Sequence, residues 1–353
     1  MASARVRARA KRGDDFDVRL LDGRLESYRY QVADGEVGLR LDQFLAKRLK
    51  WRSRNSARKL LDEGLVSLEG RSPRASRRVQ RGEIVSVRLP RPVRDEALLA
   101  TPEDDRGLER LHEDEHLIAI DKPPTMPVHP SGRLLHHTVI TELHKQYRDF
   151  EDPSRDVIPK LCHRLDLETS GVLLVAKHLK ALTFVQQQFE KRTVRKEYLV
   201  LVHGVVEQDE GLIDLPIGPN VGAAVRNSRA IRHDVGQPSR TQFTVRERWA
   251  DYTLCHIHLL TGRHHQIRVH MAAVGHPVVG DKIYGKDMAL FLRHSARELT
   301  EEDLALLELP RQALHSHAVE FEHPAKGPTR IESPWPRDLA AFCEGLERGD
   351  GAG

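Results

Sequence analysis

"HRLDLETSGVLLVAK", residues 163–177, joins a charged loop directly to an apolar run. The loop holds a histidine, an arginine and two carboxylates, whereas residues 172–176 are all apolar. A short apolar run bounded by turn residues is typical of a buried strand, and residues 169–171 can form the tight turn before it. The stretch therefore predicts a loop whose position is fixed by a buried strand, with Asp166 at the edge of a cleft.

The sequence on both sides of this stretch alternates between strand and helix patterns. Further strands are predicted by "HLIAI" (116–120), "KEYLVLVHG" (196–204) and "DYTLCHIHLL" (251–260). Helical spacing occurs in "KALTFVQQQFEKR" (180–192) and "HQIRVHMAAVG" (265–275). Many strands, few helices and hairpin-like returns favour an α+β fold with a mostly antiparallel, mixed sheet.

A basic segment near the N-terminus reads as a separate small α/β module. Apolar residues at helical spacing predict one helix from Leu41, and Ser53 or Asn55 can cap a second that stops at Gly64. Two short strands, 65–68 and 83–89, follow. Residues 38–90 carry 14 Lys/Arg and 5 Asp/Glu, a local +9 in a chain of net +4, so residues 91–353 carry −6. Such a block is typical of polyanion binding, although a solvated surface is the alternative.

These patterns divide the chain into four parts: an extension (1–37), the basic module (38–90), a Pro- and charge-rich linker (91–107) and a catalytic domain (108–345). No apolar run approaches the roughly 18 residues of a membrane span. The basic N-terminus lacks the apolar core of a secretory signal. The three cysteines are far apart in the sequence, which is typical of free thiols in a reducing compartment. We expect a soluble, cytoplasmic protein.

Several familiar chemistries are unsupported. The chain has neither a P-loop nor a G-x-G-x-x-G fingerprint, and Glu168 stands where a nucleophile elbow around Ser170 needs glycine. Five histidines occur between residues 256 and 270, but His264, His265 and His270 do not share one helical face, so no metal site is predicted. A His-rich, metal-dependent hydrolase is kept as an alternative.

Three side chains favour a pocket for a planar, polar ring. Asp166 supplies a carboxylate, Arg268 supplies a guanidinium on a helix just after a strand end, and Tyr198 lies in an apolar strand where its ring can project over a ligand. A single aspartate in a loop is more often a helix cap or a turn residue, and this is the alternative interpretation of Asp166.

Five motifs in one order carry a family resemblance. The chain resembles RNA pseudouridine synthases of the RluA type in "HEDEHLIAIDKPPTMPVHP" (112–130), "HRLDLETSGVLLVAK" (163–177), "KEYLVLVHG" (196–204), "TGRHHQIRVHMAAVGHPVVGDKIYG" (261–285) and "RQALHSHAVEFEHP" (311–324). The basic module resembles the alpha-L RNA-binding domain of the ribosomal-protein S-four type. Two departures are His264, where the pattern usually has threonine, and the stretch 236–243.

The resemblance implies an isomerase that converts uridine in RNA to pseudouridine without a cofactor or metal. Asp166 would be the catalytic carboxylate, as a nucleophile or in glycal formation, with Tyr198 stacked on the uracil and Arg268 paired with Asp166. The implied substrate-binding residues are His163, Arg164, Thr169, Arg263 and His265. The uridine must leave the RNA stack to react.

The expected partner is RNA, either ribosomal (large subunit) or transfer RNA, with no membrane association and a monomeric protein. A non-catalytic RNA-binding protein is the remaining alternative.

Overall fold

The computed structural model describes residues 25–49, 54–90, 107–130, 137–149, 152, 155–225 and 228–347. The chain divides into two compact units. The smaller unit includes the described residues up to 90, and the larger unit includes most of those from residue 107 onward. The exact bounds of the four predicted parts stay a prediction, and most of the extension and the linker lies outside the described residues.

The smaller unit packs two helices against a three-stranded antiparallel sheet of order β1-β3-β2. Its elements are β1 (Leu25–Gln31), a short 3-10 turn (Asp34–Glu36), α1 (Leu41–Arg48), α2 (Arg54–Asp62), β2 (Val66–Leu68) and β3 (Ile84–Pro90). Its core is formed by the predicted apolar faces of α1 and α2, with Phe44 and Leu45 fully buried. The predicted cap Ser53 and the side chain of Asn55 lie outside the described residues.

The strand β1 was missed by the sequence analysis, which assigned its residues to the N-terminal extension. It pairs with β3 along its whole length, from Leu25 opposite Pro90 to Gln31 opposite Ile84. Its sequence, "LESYRYQ", lacks an apolar face strong enough to be recognised alone. The partner strand supplies the hydrogen bonds that define it.

The larger unit is built on a ten-stranded sheet, with a separate two-stranded sheet β10-β11. Its strands are β4 (Glu109–Glu113), β5 (Leu117–Lys122), β6 (Lys160–Leu161), β7 (Ser170–Ala176), β8 (Arg195–His203), β9 (Glu210–Asp214), β10 (Ile217–Pro219), β11 (Arg229–Ile231), β12 (Arg240–Arg248), β13 (Tyr252–Leu259), β14 (Leu314–His323) and β15 (Gly327–Glu332). Its helices are α3 (Val139–Tyr147), α4 (Leu179–Lys191), α5 (Gln266–Ala273), α6 (Ala289–Ala296), α7 (Glu301–Leu307) and α8 (Arg337–Glu344).

The large sheet runs β4-β5-β7-β14-β8-β13-β12-β9, with β15 added to β14 and β6 to β7. Among the described strand pairs β7 and β14 run parallel and the others antiparallel. The predicted α+β class with a mostly antiparallel, mixed sheet is therefore confirmed. Within the described part of the chain, no helix combines the length and apolar character needed to cross a membrane.

The apolar run of the motif "HRLDLETSGVLLVAK" forms β7, and every residue of β7 is buried. Leu173 and Val175 pack into the core on one face of the sheet, and Val172 and Leu174 pack into the core on the other. A strand covered on both faces is apolar throughout rather than alternating. The start of β7, and with it the preceding loop, is anchored at the centre of the sheet.

Two glycines let the segment 311–316, which leads into β14, approach two loops. One loop precedes β7 and the other follows α5. Gly171 has φ +105°, and a side chain there would collide with the carbonyl oxygen of Ser316. Gly280 has φ +74°, and a side chain there would collide with the carbonyl oxygen of Arg311. Both positions therefore require glycine for conformation and for space. The segment 311–316 thus contacts both loops.

We expect Gly171→Ala to lower the free energy of unfolding of the larger unit by at least about 2 kcal/mol, because it adds a collision to an unfavourable φ. The matched control is Gly222→Ala, which also has positive φ (+82°) but nothing within 4 Å of the added carbon. The control should cost about 1 kcal/mol. Urea unfolding of both variants measures the difference. Equal losses would show that the contact with Ser316 adds nothing.

Candidate active site

Asp166 lies in the loop between β6 and β7, and its side chain is 20% exposed. The turn after it is closed by the amide of Thr169, which donates to the carbonyl oxygen of Asp166 at 3.2 Å. The hydroxyl of Thr169 accepts a hydrogen bond from Gln312 Nε2 at 2.7 Å, and Ser170 Oγ lies 2.9 Å from His315 Nδ1. The turn hydroxyls therefore tie the loop to β14 and the residues before it.

The second carboxylate of the loop, Glu168, also ties the loop to the rest of the unit. Its Oε1 accepts a hydrogen bond from Lys282 Nζ at 2.6 Å, and its Oε2 accepts one from the amide of Gln312 at 3.2 Å. The ammonium of Lys282 also donates to the carbonyl oxygen of Pro310 at 2.7 Å. Both carboxylate oxygens of Glu168 are thus engaged in anchoring the loop.

A buried lysine fixes the backbone next to Asp166. Lys122, at the end of β5, is fully buried. Its ammonium donates three hydrogen bonds, to the carbonyl oxygens of Pro123 at 2.7 Å, Met126 at 3.0 Å and Leu167 at 3.0 Å. Burial, with a smaller contribution from the charge of Arg311, lowers the pKa of Lys122 to about 7. The bond to Leu167 holds the residue that follows Asp166.

A buried arginine links Asp166 to a third carboxylate. Arg268 on α5 donates from Nη1 to Asp166 Oδ2 at 3.1 Å, and from Nε and Nη2 to the two oxygens of Asp281 at 2.6 and 2.8 Å. Asp281 Oδ1 also accepts the amides of Ile283 at 2.9 Å and Tyr284 at 3.0 Å. Burial raises the pKa of Asp281, but the charge and hydrogen bonds of Arg268, together with the two backbone amides, outweigh burial, so the net shift is downward. Asp281 therefore holds Arg268 in place.

The same electrostatics keep Asp166 ionised. Burial raises its pKa, but His265 and Arg268 together lower it by more, so the pKa lies below its ordinary value. Burial also lowers the pKa of His265 to about 3, so this ring is neutral near pH 7. The permanent positive charge beside Asp166 is therefore that of Arg268.

Two adjacent histidines and a tyrosine complete the wall beside Asp166. His265 precedes α5 with φ 59°; its Nδ1 lies 2.8 Å from the hydroxyl of Tyr284 and its Nε2 lies 3.8 Å from Asp166 Oδ2. The ring of His264 lies over that of His265, with centroids 3.8 Å apart. The Tyr284 ring packs against the guanidinium of Arg268 at 5.0 Å. These contacts set the orientation of both imidazoles.

Tyr198 lies on β8 and is buried. Burial raises its pKa to about 12; a hydrogen bond with Ser316 opposes this shift and the charge of Asp166 adds to it. The phenol is therefore protonated at neutral pH and lies within electrostatic reach of the carboxylate. The structure thus brings together Asp166, Tyr198, His265 and Arg268.

The other predicted site residues have different surroundings. His163 stacks on Phe189 with centroids 4.8 Å apart and accepts the amide of Leu174 at 3.0 Å, and burial lowers its pKa to about 4. These contacts lock its ring against the protein. Arg164 is exposed, and Arg263 has a buried Nε without a hydrogen-bond partner among the described residues. Their predicted contacts with a substrate stay predictions.

Sequence reasoning assigned no role to Asp281, Tyr284 or Lys122. All three stand in quoted motifs, "GDKIYG" for the first two and "DKPP" for the third. The signal was therefore present in the sequence. Each also contacts a residue more than ten positions away in the sequence, and only the fold shows which residues meet.

Two groups of side chains among the described residues have metal-ligand geometry. Asp166, His264 and His265 offer ligand atoms within 4.8 Å of one another, and so do His112, Asp114 and His323. His270 does not join the first group, because its ring nitrogens lie 2.9 Å from the hydroxyl of Thr241 and from the carbonyl oxygen of Leu215. The first group joins residues from two different loops, so the spacing of histidines along one helix does not reveal it. The expectation that no metal is required stays a prediction.

Comparison with known proteins gives consistent matches. The family model described as RNA pseudouridylate synthase matches residues 116–273, and the S4 domain model matches residues 39–85. Ribosomal large subunit pseudouridine synthase D of Nitrosomonas europaea is 36% identical over 318 residues, covering 89% of this chain and 86% of the relative. An uncharacterized RNA pseudouridine synthase of Mycobacterium bovis is 37% identical over 327 residues, covering 91% and 98%. The solved structure of human RNA Pseudouridylate Synthase Domain Containing 1 is 25% identical with a TM-score of 0.54, covering 69% of this chain and 90% of that one.

Proposed function

Because this chain belongs to the RNA pseudouridine synthases, isomerases that convert uridine in RNA to pseudouridine, we propose that Asp166 is its catalytic carboxylate. The observation that carries the proposal is the position of Asp166: an ionised, partly open carboxylate 3.1 Å from the buried guanidinium of Arg268. A carboxylate held ionised in a partly dry site is suited to act as a nucleophile or a base.

The proposed reaction breaks the C1′–N1 bond of uridine and rejoins the uracil through C5. Asp166 either attacks C1′ or removes a proton to form a glycal, and both routes need it ionised. The uracil is leaving group and returning nucleophile, so no cofactor is required. The target leaves the RNA stack to enter the site, the ring of Tyr198 stacks on the uracil, and the exposed Arg164 fills the gap left in the RNA.

We propose large-subunit ribosomal RNA as the substrate. Relatives in Nitrosomonas europaea and Xanthomonas campestris carry the name ribosomal large subunit pseudouridine synthase D, and the S4 domain is an RNA-binding module. Transfer RNA is the second candidate. Mapping pseudouridine in both RNA classes, from cells with and without this protein, tests the choice: a lost site in transfer RNA alone would contradict it. The monomeric state and the cytoplasmic location stay predictions.

We expect Asp166→Asn to lower the single-turnover rate of pseudouridine formation by at least about a thousandfold, because the amide can neither attack nor accept the proton. RNA affinity should stay near wild type, since the shape of the side chain is retained. Asp209→Asn is the control, because Asp209 is 87% exposed and pairs with Arg248 at the surface. Substantial turnover in Asp166→Asn would place the chemistry on another residue.

A second prediction isolates the charge of Arg268. Replacing Arg268 alone would leave the buried Asp281 without a counterion, which is strongly destabilising. The informative variant is therefore Arg268→Met combined with Asp281→Asn. Without the guanidinium, burial dominates and the pKa of Asp166 should rise.

The folded pKa of Asp166 is then raised, so the carboxylate is partly protonated at neutral pH and ionises only as the pH increases. The double variant should lose activity at pH 7 and recover part of it at higher pH. Asp166→Asn should not recover. The measurement is a pH–rate profile of single turnovers at saturating enzyme. A flat, low profile for the double variant would mean that Arg268 contributes position rather than charge.

A third prediction concerns the basic module. Arg58, Arg71 and Arg74 are exposed and make no ion pair with the described residues. Replacing all three by glutamine should weaken RNA binding and reduce the salt dependence of log K by roughly 2, because each phosphate contact contributes about 0.7–0.9.

The matched control for this triple variant replaces three arginines that are already paired. Arg40, Arg77 and Arg81 form ion pairs with Asp42, Glu83 and Asp34 respectively. Their replacement by glutamine changes the net charge by the same amount. If both triple variants lose affinity and salt dependence equally, net charge alone, and not a defined RNA-binding face, explains the binding.

A further inference from the structure

His264 distinguishes this chain from the family pattern, and it lies beside the proposed catalytic carboxylate. His264 and His265 precede α5, whereas Asp166 comes from the loop before β7. The three side chains offer ligand atoms within 4.8 Å of one another, and His265 Nε2 lies 3.8 Å from Asp166 Oδ2. Zinc–nitrogen bonds are about 2.0–2.1 Å long, so tetrahedral ligands lie roughly 3.4 Å apart. The three ligand atoms must therefore approach one another by up to about 1.4 Å (4.8 Å less 3.4 Å) when a metal binds.

The hydrogen bonds leave ligand atoms available. His264 Nδ1 is buried and has no hydrogen-bond partner among the described residues. Arg268 and His265 both approach Oδ2 of Asp166, which leaves Oδ1 for a ligand. The opposite nitrogen of His265 is held by the hydroxyl of Tyr284 at 2.8 Å. Such outer contacts orient a metal-binding imidazole.

The charges around His264 favour one class of metal. Arg164, Arg229 and Arg268 lower the pKa of His264, after burial, and Asp166 raises it. The charge of Arg268 is offset by its two hydrogen bonds to Asp281. The charges of Arg164 and Arg229 are what weaken the attraction of the site for any dication. Binding then depends on imidazole nitrogen, which suits zinc and copper and does not suit magnesium or calcium.

We propose that a transition-metal dication, with Zn²⁺ as the reference ion, binds Asp166, His264 and His265 and thereby inhibits the isomerase. Coordination occupies the carboxylate oxygen that the reaction uses, and the ion stands where the uridine enters. The binding claim does not depend on a catalytic role for Asp166, whereas the inhibitory claim rests on the proposed function of that carboxylate.

The second cluster with metal-ligand geometry is better explained without an ion. His323 Nδ1 accepts the amides of Ala325 at 3.1 Å and Lys326 at 3.2 Å, so its proton is on Nε2, 3.0 Å from Asp114 Oδ2. Lys326 Nζ lies 2.8 Å from the same oxygen. The nitrogen that would bind a metal is therefore protonated, and the carboxylate is already neutralised. This cluster supplies the control, through His112.

The binding test uses the full-length, chelator-treated protein with Zn²⁺ in titration calorimetry and Co²⁺ as an absorption probe. His264→Phe keeps the ring stack on His265 but removes both nitrogens, and His264→Thr restores the usual family residue. Both should weaken Zn²⁺ binding by at least about tenfold, and His112→Phe should not. Equal binding by wild type and both His264 variants, or no binding by wild type, overturns the site.

The inhibition test measures single turnovers with increasing Zn²⁺, each variant being compared with its own metal-free rate. Zn²⁺ should inhibit the wild type at the concentration that half-fills the site, and bound RNA should protect the enzyme against this inhibition. The His264 variants should keep their metal-free rate at the same Zn²⁺ concentration. Metal that binds without slowing wild type overturns the inhibitory claim. Activity of metal-free Asp166→Asn would instead overturn the catalytic role of Asp166, so the two failures are distinguishable.

Discussion

The site depends on a buried chain of charges in which Arg268 bridges Asp166 and Asp281. Burying each ion costs several kcal/mol unless its hydrogen bonds are satisfied. Asp281 meets that requirement, with two bonds to the guanidinium and two to backbone amides. From the described residues, the carboxylate of Asp166 receives a single, longer hydrogen bond of 3.1 Å. The arginine is therefore held mainly by Asp281, and this leaves Asp166 ionised but free to use its remaining oxygen lone pairs.

Such a chain of charges tolerates little movement, and the fold restricts movement through the segment 311–316. Gly171 and Gly280 let the backbone of this segment come close to the Asp166 and Asp281 loops. Gln312 then bonds to Glu168 and to Thr169. Two loops more than a hundred residues apart in sequence are thus fastened to one short stretch. The parallel pairing of β7 with β14 places the Asp166 loop beside this segment. The amide of Ala313 donates to the carbonyl oxygen of Val279 at 2.8 Å and places the Asp281 loop there.

The sequence predicted those features that a single segment encodes. The buried run of β7, the helix that carries Arg268 and the α+β class were predicted from periodicity and composition, and the structure confirms them. The strand β1 was missed because its identity depends on pairing with β3. Asp281 lay within a quoted motif, yet its role requires knowing that it meets Arg268 in space. The spacing of histidines along one helix likewise does not show the group of possible metal ligands, because Asp166 reaches His264 and His265 from another loop.

The neutral histidines beside Asp166 follow from the same burial that strengthens its ion pair. A charged imidazole next to Arg268 would be costly in a partly dry site, so burial holds the rings of His264 and His265 neutral. Neutral rings do not compete with Arg268 for the carboxylate, so the permanent positive charge beside Asp166 at neutral pH is that of Arg268. The same neutrality leaves lone pairs on the imidazole nitrogens beside an ionised carboxylate. A site arranged to keep one carboxylate reactive thus acquires two imidazole nitrogens beside a carboxylate, donors that suit zinc or copper, and with threonine at position 264 that donor set would lose one imidazole.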